Sequence, residues 1–158
     1  DELWMFFPEA EELVKISGHM LSEGMMGSDF SYRDVMESDK LTDLYDFELI
    51  GEEELDGRIC YVLEGIAREG KDVSYYRRKS WIDKEHFAGL KEEYYAQSGR
   101  LLKEMKVLEL EEIEGRWYPV RTIMENRLRK DSSTEVIIKS IEFNPEIAEN
   151  TFTLEKLQ

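Results

Sequence analysis

The sequence predicts a mainly β (α+β) fold: a long antiparallel meander, curved toward an incomplete barrel, with a non-strand segment over its mouth. Two observations carry this. The pairs Asp56-Gly57, Glu69-Gly70, Asp83-Lys84, Ser98-Gly99, Glu114-Gly115 and Lys130-Asp131 recur about every 13 to 16 residues and have turn chemistry. The segments between them are rich in Val, Ile, Tyr, Trp and Leu, which suit a pleated, half-buried surface. Even spacing without a helical interruption favours a strongly curved sheet or a barrel.

Taken in order, Leu3-Trp4-Met5-Phe6-Phe7 and Leu13-Val14-Lys15-Ile16-Ser17 flank Pro8-Glu9-Ala10-Glu11 and predict a first hairpin. Strand alternation then fails between Gly18 and Thr42, where short helices are expected at 31–38 and 40–44. The meander is expected as strands 45–55, 58–68, 73–83, 86–96, 100–112, 116–128 and 134–143. Asn144 to Asn150, with Pro145 placed to open it, predicts one helical turn, and 151–154 a short terminal strand. Several central strands are apolar on both faces, while 116–128 alternates, with Tyr118, Val120 and Met124 opposing Arg121, Glu125 and Arg127. Such a sheet needs a cover, and the chain offers 18–44 and the turn near 145–149. In MMGSDFSYRD (25–34), Gly27 suits a tight bend, Ser28 or Asp29 a helix cap, and Met25, Met26, Phe30 and Tyr32 an inward-facing apolar cluster.

At 158 residues the chain is one domain with room for a real core. A net charge of -15 at pH 7 argues against nucleic acid and anionic lipid as simple electrostatic partners. The run Arg77-Arg78-Lys79 reads as a solvated strand face, and the runs Glu52-Glu53-Glu54 and Glu109 to Glu114 as charged strand ends. Cys60 is the single cysteine, expected as a small buried apolar residue. His19 and His86 have no partner at metal-ligand spacing, so neither a metal nor a cofactor is expected. The chain has no GxSxG, P-loop, GxGxxG or HExxH motif, and an enzyme is not the expected reading.

What remains is an excess of large apolar side chains, crowded into the first 32 residues: Trp4, Met5, Phe6, Phe7, Met20, Leu21, Met25, Met26, Phe30 and Tyr32. Methionine suits a surface that repacks around ligands of varying shape. The same residues equally close the core of a curved sheet, and composition leaves both roles open.

The order of several short motifs resembles the LolA-like outer-membrane lipoprotein-sorting proteins. They are Leu3-Trp4-Met5-Phe6-Phe7-Pro8 with Val14-Lys15-Ile16, then Met26 to Asp34, Trp81-Ile82-Asp83-Lys84, Leu90-Lys91, Ser98-Gly99-Arg100, Trp117-Tyr118-Pro119-Val120-Arg121 and Phe152-Thr153-Leu154. The resemblance spans nearly the whole chain. It implies a periplasmic, half-open antiparallel barrel whose hydrophobic concave face lies under short helices and accepts lipid or lipoprotein acyl chains. It also implies a carrier working with an inner-membrane transporter, often of the RND type. The candidate cavity lining is Trp4, Phe6, Met25, Met26, Phe30, Tyr32, Val62, Leu90, Tyr94, Tyr118, Val120 and Met124. The alternative implied by the same fold is an envelope-stress sensor that uses the apolar surface for a protein partner. The family domain begins with a signal peptide, a helix and further strands; this sequence carries no signal peptide and starts after them, so it reads as a processed or excised piece whose strand 2–7 has an unpaired edge suited to homodimerisation. The arginine that latches the lid of the best-known carrier has no match here.

Overall fold

Glycine turns and alternating side chains fold most of the chain into one meander. The computed structural model describes residues 2–148 and 150–156. A separate hairpin comes first, β1 (Leu3–Phe7) against β2 (Glu12–Ile16). Two short 3-10 turns, Gly18–Ser22 and Met25–Gly27, lead to helices α1 (Tyr32–Glu37) and α2 (Leu41–Leu44). Seven strands then pair in chain order, each antiparallel to the next: β3 (Tyr45–Leu55), β4 (Arg58–Ala67), β5 (Arg77–Asp83), β6 (Gly89–Tyr95), β7 (Leu101–Ile113), β8 (Arg116–Asn126) and β9 (Ser132–Ile137). Register shifts interrupt β3, the β5–β6 pair, the β6–β7 pair and β7–β8, and such bulges bend and twist a sheet. The sheet curves but stays open: among the described residues β3 and β9 each pair on one side only.

The structure departs from five expectations. Residues 68–76 leave the sheet as a loop, because Tyr75 is drawn beneath the cover segment and buried there. Strand 86–96 begins only at Gly89, since the Asp83 carboxylate accepts the His86 N–H (3.2 Å) and Phe87 takes a φ of 55°, closing a turn. The last strand ends at Ile137, and residues 144–148 form no helical turn; Asn144 has a φ of 52°, outside the right-handed helical region, and Glu149 lies outside the described residues. Residues 151–153 turn rather than extend and lead into a 3-10 turn at Leu154–Lys156.

Both faces of the sheet bury something. Pairing places Arg78, Glu92, Tyr94, Lys103, Met105, Met124, Asn126 and Thr134 on one face, and Glu64, Lys79, Trp81, Lys91, Glu93, Glu104 and Glu125 on the other. One core cluster gathers Cys60, Val62, Trp81, Ala88 and Leu90, with Leu55, Val107 and Leu110 against it. The other gathers Tyr75, Tyr94 and Met124, with Phe30, Leu102 and Met105. Trp81 is held by charge as well as by packing. Its Nε1–H donates to Glu53 (2.7 Å), and the Lys79 and Lys91 ammonium groups each lie 4.4 Å from its ring centre. Glu104, buried on the same face, meets Lys91 (3.2 Å), Lys106 (2.9 Å) and Arg127 (3.0 Å). Burial opposes its charge, but these cations win and hold the carboxyl down at about 2.

Gly65 of β4 lies under the ring of its cross-strand partner Phe47, and a Cβ there would come within 2.6 Å of the ring. Gly65→Ala is expected to cost about 1–3 kcal/mol, read from the urea midpoint. Gly51→Ala, where the added Cβ meets nothing within 4 Å, is expected to be close to neutral.

Candidate functional site

The face carrying Tyr94 and Met124 lies under the segment between β2 and β3. That segment closes on itself over 24–31, with Met25 N–H donating to the Phe30 carbonyl (2.7 Å) and Ser28 N–H to that of Met25 (3.0 Å), and leaves the polar groups of Asp29 to find partners in the sheet. Asp29, 6% exposed, supplies most of the fastening. Its carboxylate accepts from Ser132 Oγ (2.8 Å) and Thr134 Oγ1 (3.1 Å) of β9 and from Asn126 Nδ2 (3.2 Å) at the end of β8. Its N–H donates to Thr134 Oγ1 (2.8 Å), and its carbonyl accepts from Lys103 Nζ of β7 (2.7 Å). Burial alone would raise this carboxyl; the hydrogen bonds from Ser132, Asn126 and Thr134, with the charge of Lys103, hold it below its ordinary value.

Directly after the clasp, Ser31 caps α1. Its Oγ accepts the Asp34 N–H (3.1 Å), and Asp34 Oδ2 accepts the Ser31 N–H (2.7 Å), a reciprocal capping box. The same Asp34 oxygen receives Lys103 Nζ (3.1 Å), so one lysine ties both the clasp and the helix to β7. Arg33 ties the other side, donating to the Asp72 carbonyl (2.9 Å) and carboxylate (3.1 Å) in the loop between β4 and β5. Tyr32 OH lies 3.5 Å from Met5 Sδ and links the cover to the β1–β2 hairpin.

Beneath this rim is an aromatic and methionine layer. Tyr75 and Tyr94 stand 4.7 Å apart between ring centres, tilted by 47°, against Met124, Met105 and Phe30. Burial pushes both phenols up; for Tyr75 the neighbouring Asp34 carboxylate adds to it, and for Tyr94 that of Glu92. Beside them runs a buried ion pair, Arg78 Nε to Glu92 Oε1 (2.6 Å), with Arg78 only 8% exposed. Glu92 also accepts from Tyr94 OH (3.1 Å) and Ser80 Oγ (3.3 Å), and the guanidinium lies 5.3 Å and 5.0 Å from the rings of Tyr45 and Tyr94. Burial opposes the Arg78 charge, yet Glu92 keeps the net effect upward. The expectation of a solvated face therefore fails at Arg78, because strand alternation turns it under the cover where Glu92 and two rings satisfy it. Among the described residues no group of three or more His, Cys, Asp or Glu side chains could hold a metal ion.

A family described as "-like: Uncharacterized protein" matches residues 1–158, and the chain belongs to it. A DUF1329 family protein from Desulfovibrio piger superposes with a TM-score of 0.90 at 30% identity, covering 99% of this chain and 65% of that one. A domain assigned to outer membrane lipoprotein sorting, from Vibrio parahaemolyticus, superposes with a TM-score of 0.83 at 27% identity over 99% and 65%. The chain is thus similar to outer membrane lipoprotein-sorting and DUF1329 family structures. A LolA superfamily protein from Nitrosomonas europaea shares the fold, with a TM-score of 0.68 at 24% identity over 98% and 67%. The chain spans about two thirds of the length of these relatives, 65% for the first two. No curated protein matches it. No helix among the described residues is long and apolar enough to cross a membrane.

The twelve side chains singled out from the sequence fall into separate places. Phe30, Tyr94 and Met124 meet in the layer under the cover, and Tyr32 is buried at its edge. Val62 and Leu90 belong to the Trp81 cluster. Trp4 and Phe6 are half-buried on β1; Trp4 donates to Glu2 and has Lys15 5.6 Å from its ring. Val120 is buried, and half-buried Tyr118 meets Phe143 edge-on, at 6.0 Å between ring centres. Met25 is half-buried. Met26 is 84% exposed, against the expectation of an inward side chain. Its φ of 52° and ψ of 33° put it in the left-handed region, and the tight bend at Gly27 follows. The cap falls to Ser31, because Asp29 is committed to β8 and β9. Asp29, Lys103, Arg33, Tyr75 and the Arg78–Glu92 pair escaped sequence reasoning. The signal for Lys103 was a lone cation after Leu101-Leu102 at the start of a strand, and for Asp29 an acid inside an otherwise apolar segment.

Asp29→Asn is expected to cost about 1.5–3 kcal/mol at neutral pH, since charge-assisted hydrogen bonds are lost and an amide donor is turned toward three donors. A carboxyl held below its ordinary value of 3.8 contributes stability that is present above that value and lost as pH falls below it. Thermal melts of wild type and variant should therefore differ most at neutral pH and converge below about pH 4.

Proposed function

We propose that this chain is an extracytoplasmic carrier that takes lipid or lipoprotein acyl chains between its cover and its sheet for transfer toward the outer membrane. The observation that supports it best is the way the cover is fastened. Its polar contacts sit at the rim, at Asp29, Asp34, Arg33 and Lys103, while the layer beneath is Phe30, Tyr75, Tyr94, Met105 and Met124. Releasing the rim uncovers an adaptable apolar surface without dismantling the sheet. A cleft of about 200 Å³ elsewhere is lined by Leu55, Leu90, Val107, Leu108 and Leu110 together with Asp56, Arg58, Lys106 and Glu109. It is smaller than the roughly 300–1,000 Å³ of ordinary ligand sites and adjoins the Trp81 cluster rather than the cover, so it is not the proposed acyl site. Phe30, Tyr32, Tyr94 and Met124 are the proposed first contacts. The assignment of the Vibrio relative to lipoprotein sorting agrees with this reading. On the family resemblance, an inner-membrane transporter of the RND type is the proposed donor.

Native mass spectrometry and lipid extraction of protein purified from envelopes should recover bound acyl chains. A fluorescent fatty-acyl probe should enter Asp29→Ala and Lys103→Ala faster than wild type. No recovered lipid, together with no probe uptake by wild type or either variant, would sink the carrier reading.

A second reading has its own support. The outer strands carry exposed apolar side chains, Leu49 and Ile50 on β3 and Val136 and Ile137 on β9. Unpaired, partly apolar edges suit a protein partner or a second copy of the chain. Light scattering is expected to show association that weakens in Ile50→Lys or Ile137→Lys; a strict monomer that captures no envelope protein leaves the carrier reading alone.

A further inference from the structure

Because the strands run antiparallel in chain order, their connections alternate between the two ends of the sheet. The ends differ in charge. The β3–β4, β5–β6 and β7–β8 turns carry Asp56, Glu85 and Glu114 against Lys84, and Glu52, Glu53, Glu54, Glu109, Glu111 and Glu112 flank them on the strands. At the other end, residues 68–76, 96–100 and 127–131 carry Arg68, Lys71, Arg100, Arg127, Arg129 and Lys130 against Glu69, Asp72 and Asp131, and the approach to β3 adds Asp39, Asp43 and Asp46; Arg68 is paired with Asp46, and Arg127 with Glu104 and Glu125. Of these, Asp72 is already bound to Arg33. Lys71, Arg100, Arg129 and Lys130 make no ion pair among the described residues, whereas strand cations such as Arg77, Lys79, Lys91 and Lys106 are paired.

We propose that this end docks on an anionic phospholipid surface. Its apolar content favours a bilayer over an acidic protein: Leu128, 52% exposed, stands between Arg127 and Arg129, and Tyr76, 40% exposed, ends the separate β4–β5 loop at the same end of the sheet. A turn of cations around an exposed leucine, with an exposed tyrosine on a separate loop of the same end, matches the headgroup boundary, where aromatic rings and basic side chains settle. The net charge of -15 does not oppose this. The thirteen residues of β7 separate the two ends by roughly 40 Å at about 3.4 Å per residue, several times the screening length of about 8 Å at physiological salt. Charge at the far end is thus screened from the surface, which leaves the nearby turns to set the attraction.

The inference is independent of the carrier reading, because it concerns docking without cargo. Flotation with vesicles of phosphatidylcholine alone, and with part of it replaced by phosphatidylglycerol, tests it with the intact chain. Binding is expected only to the anionic vesicles and should fall as salt rises. Arg129→Gln and Lys130→Gln should each weaken it roughly fivefold, and Arg100→Gln on a separate turn likewise. Leu128→Asp should weaken it further, and Glu111→Gln at the far end should leave it unchanged. Equal binding to both vesicle types, no binding to either, insensitivity to all three neutralised cations, or displacement by inorganic phosphate at matched ionic strength overturns the proposal. Unchanged melting of the turn variants excludes misfolding as the cause of a loss. Failure here leaves acyl-chain recovery as a separate question.

Discussion

The Asp29 carboxylate decides how the first quarter of the chain meets the rest. The segment satisfies most of its backbone internally, but the N–H and carbonyl of Asp29 turn to the sheet, and an ionised acid can be buried only with several donors. Both requirements are met by one residue, through Asn126, Ser132 and Thr134 on its side chain and Thr134 and Lys103 on its backbone. The rest follows in sequence order. With Asp29 fixed, Phe30 enters the Tyr75–Tyr94–Met124 layer, Ser31 and Asp34 open α1, and Arg33 reaches the β4–β5 loop that carries Tyr75. Neither the helix of six residues nor the loop would be stable alone.

The charged pairs inside the sheet serve register more than stability. A buried ion pair such as Arg78–Glu92 recovers little beyond its desolvation cost. It does, however, penalise slippage. Moving β5 by one residue would turn Arg78 to the other face and bring Lys79 under the cover, and the Trp81 contacts with Glu53, Lys79 and Lys91 would be lost together. In a sheet that is apolar in patches on both faces, the hydrophobic pattern alone does not choose a register. The charge ladder supplies the choice, and it also accounts for much of the 36% charged content of a folded chain.

How far the sequence spoke depended on whether information was local. The hairpin at Asp56-Gly57, with φ values of 49° and 80°, joins strands 45–55 and 58–67 almost as turn chemistry predicts. Helices expected at 31–38 and 40–44 appear at Tyr32–Glu37 and Leu41–Leu44, since the capping box is itself a local signal. Residues 73–76 have strand composition, but Tyr75 gains more from burial under the cover than from a ladder position, a tertiary preference that no window of sequence contains. The apolar character of the site was legible at Phe30, Tyr94 and Met124. Its polar fastening was not, because Asp29 and its partners are separated by about a hundred residues along the chain.

A cover held by polar contacts has an energetic consequence that an apolar seal would lack. Each neutral hydrogen bond contributes about 0.5–1.5 kcal/mol net and each charged one about 1.5–3, so the rim at Asp29, Asp34 and Arg33 amounts to several kcal/mol, and water satisfies the same groups once it opens. Opening also exposes Phe30, Tyr94 and Met124, which costs roughly 1.5–3 kcal/mol for each side chain uncovered. An acyl chain returns about 0.8 kcal/mol for every methylene it buries, so a dozen methylenes offset much of that exposure. On the carrier reading the empty and loaded forms then lie close in free energy, which lets one surface accept and later release its cargo. A cover sealed by a larger apolar core would bind nothing, and one without the Asp29 clasp would leave the aromatic layer open to water.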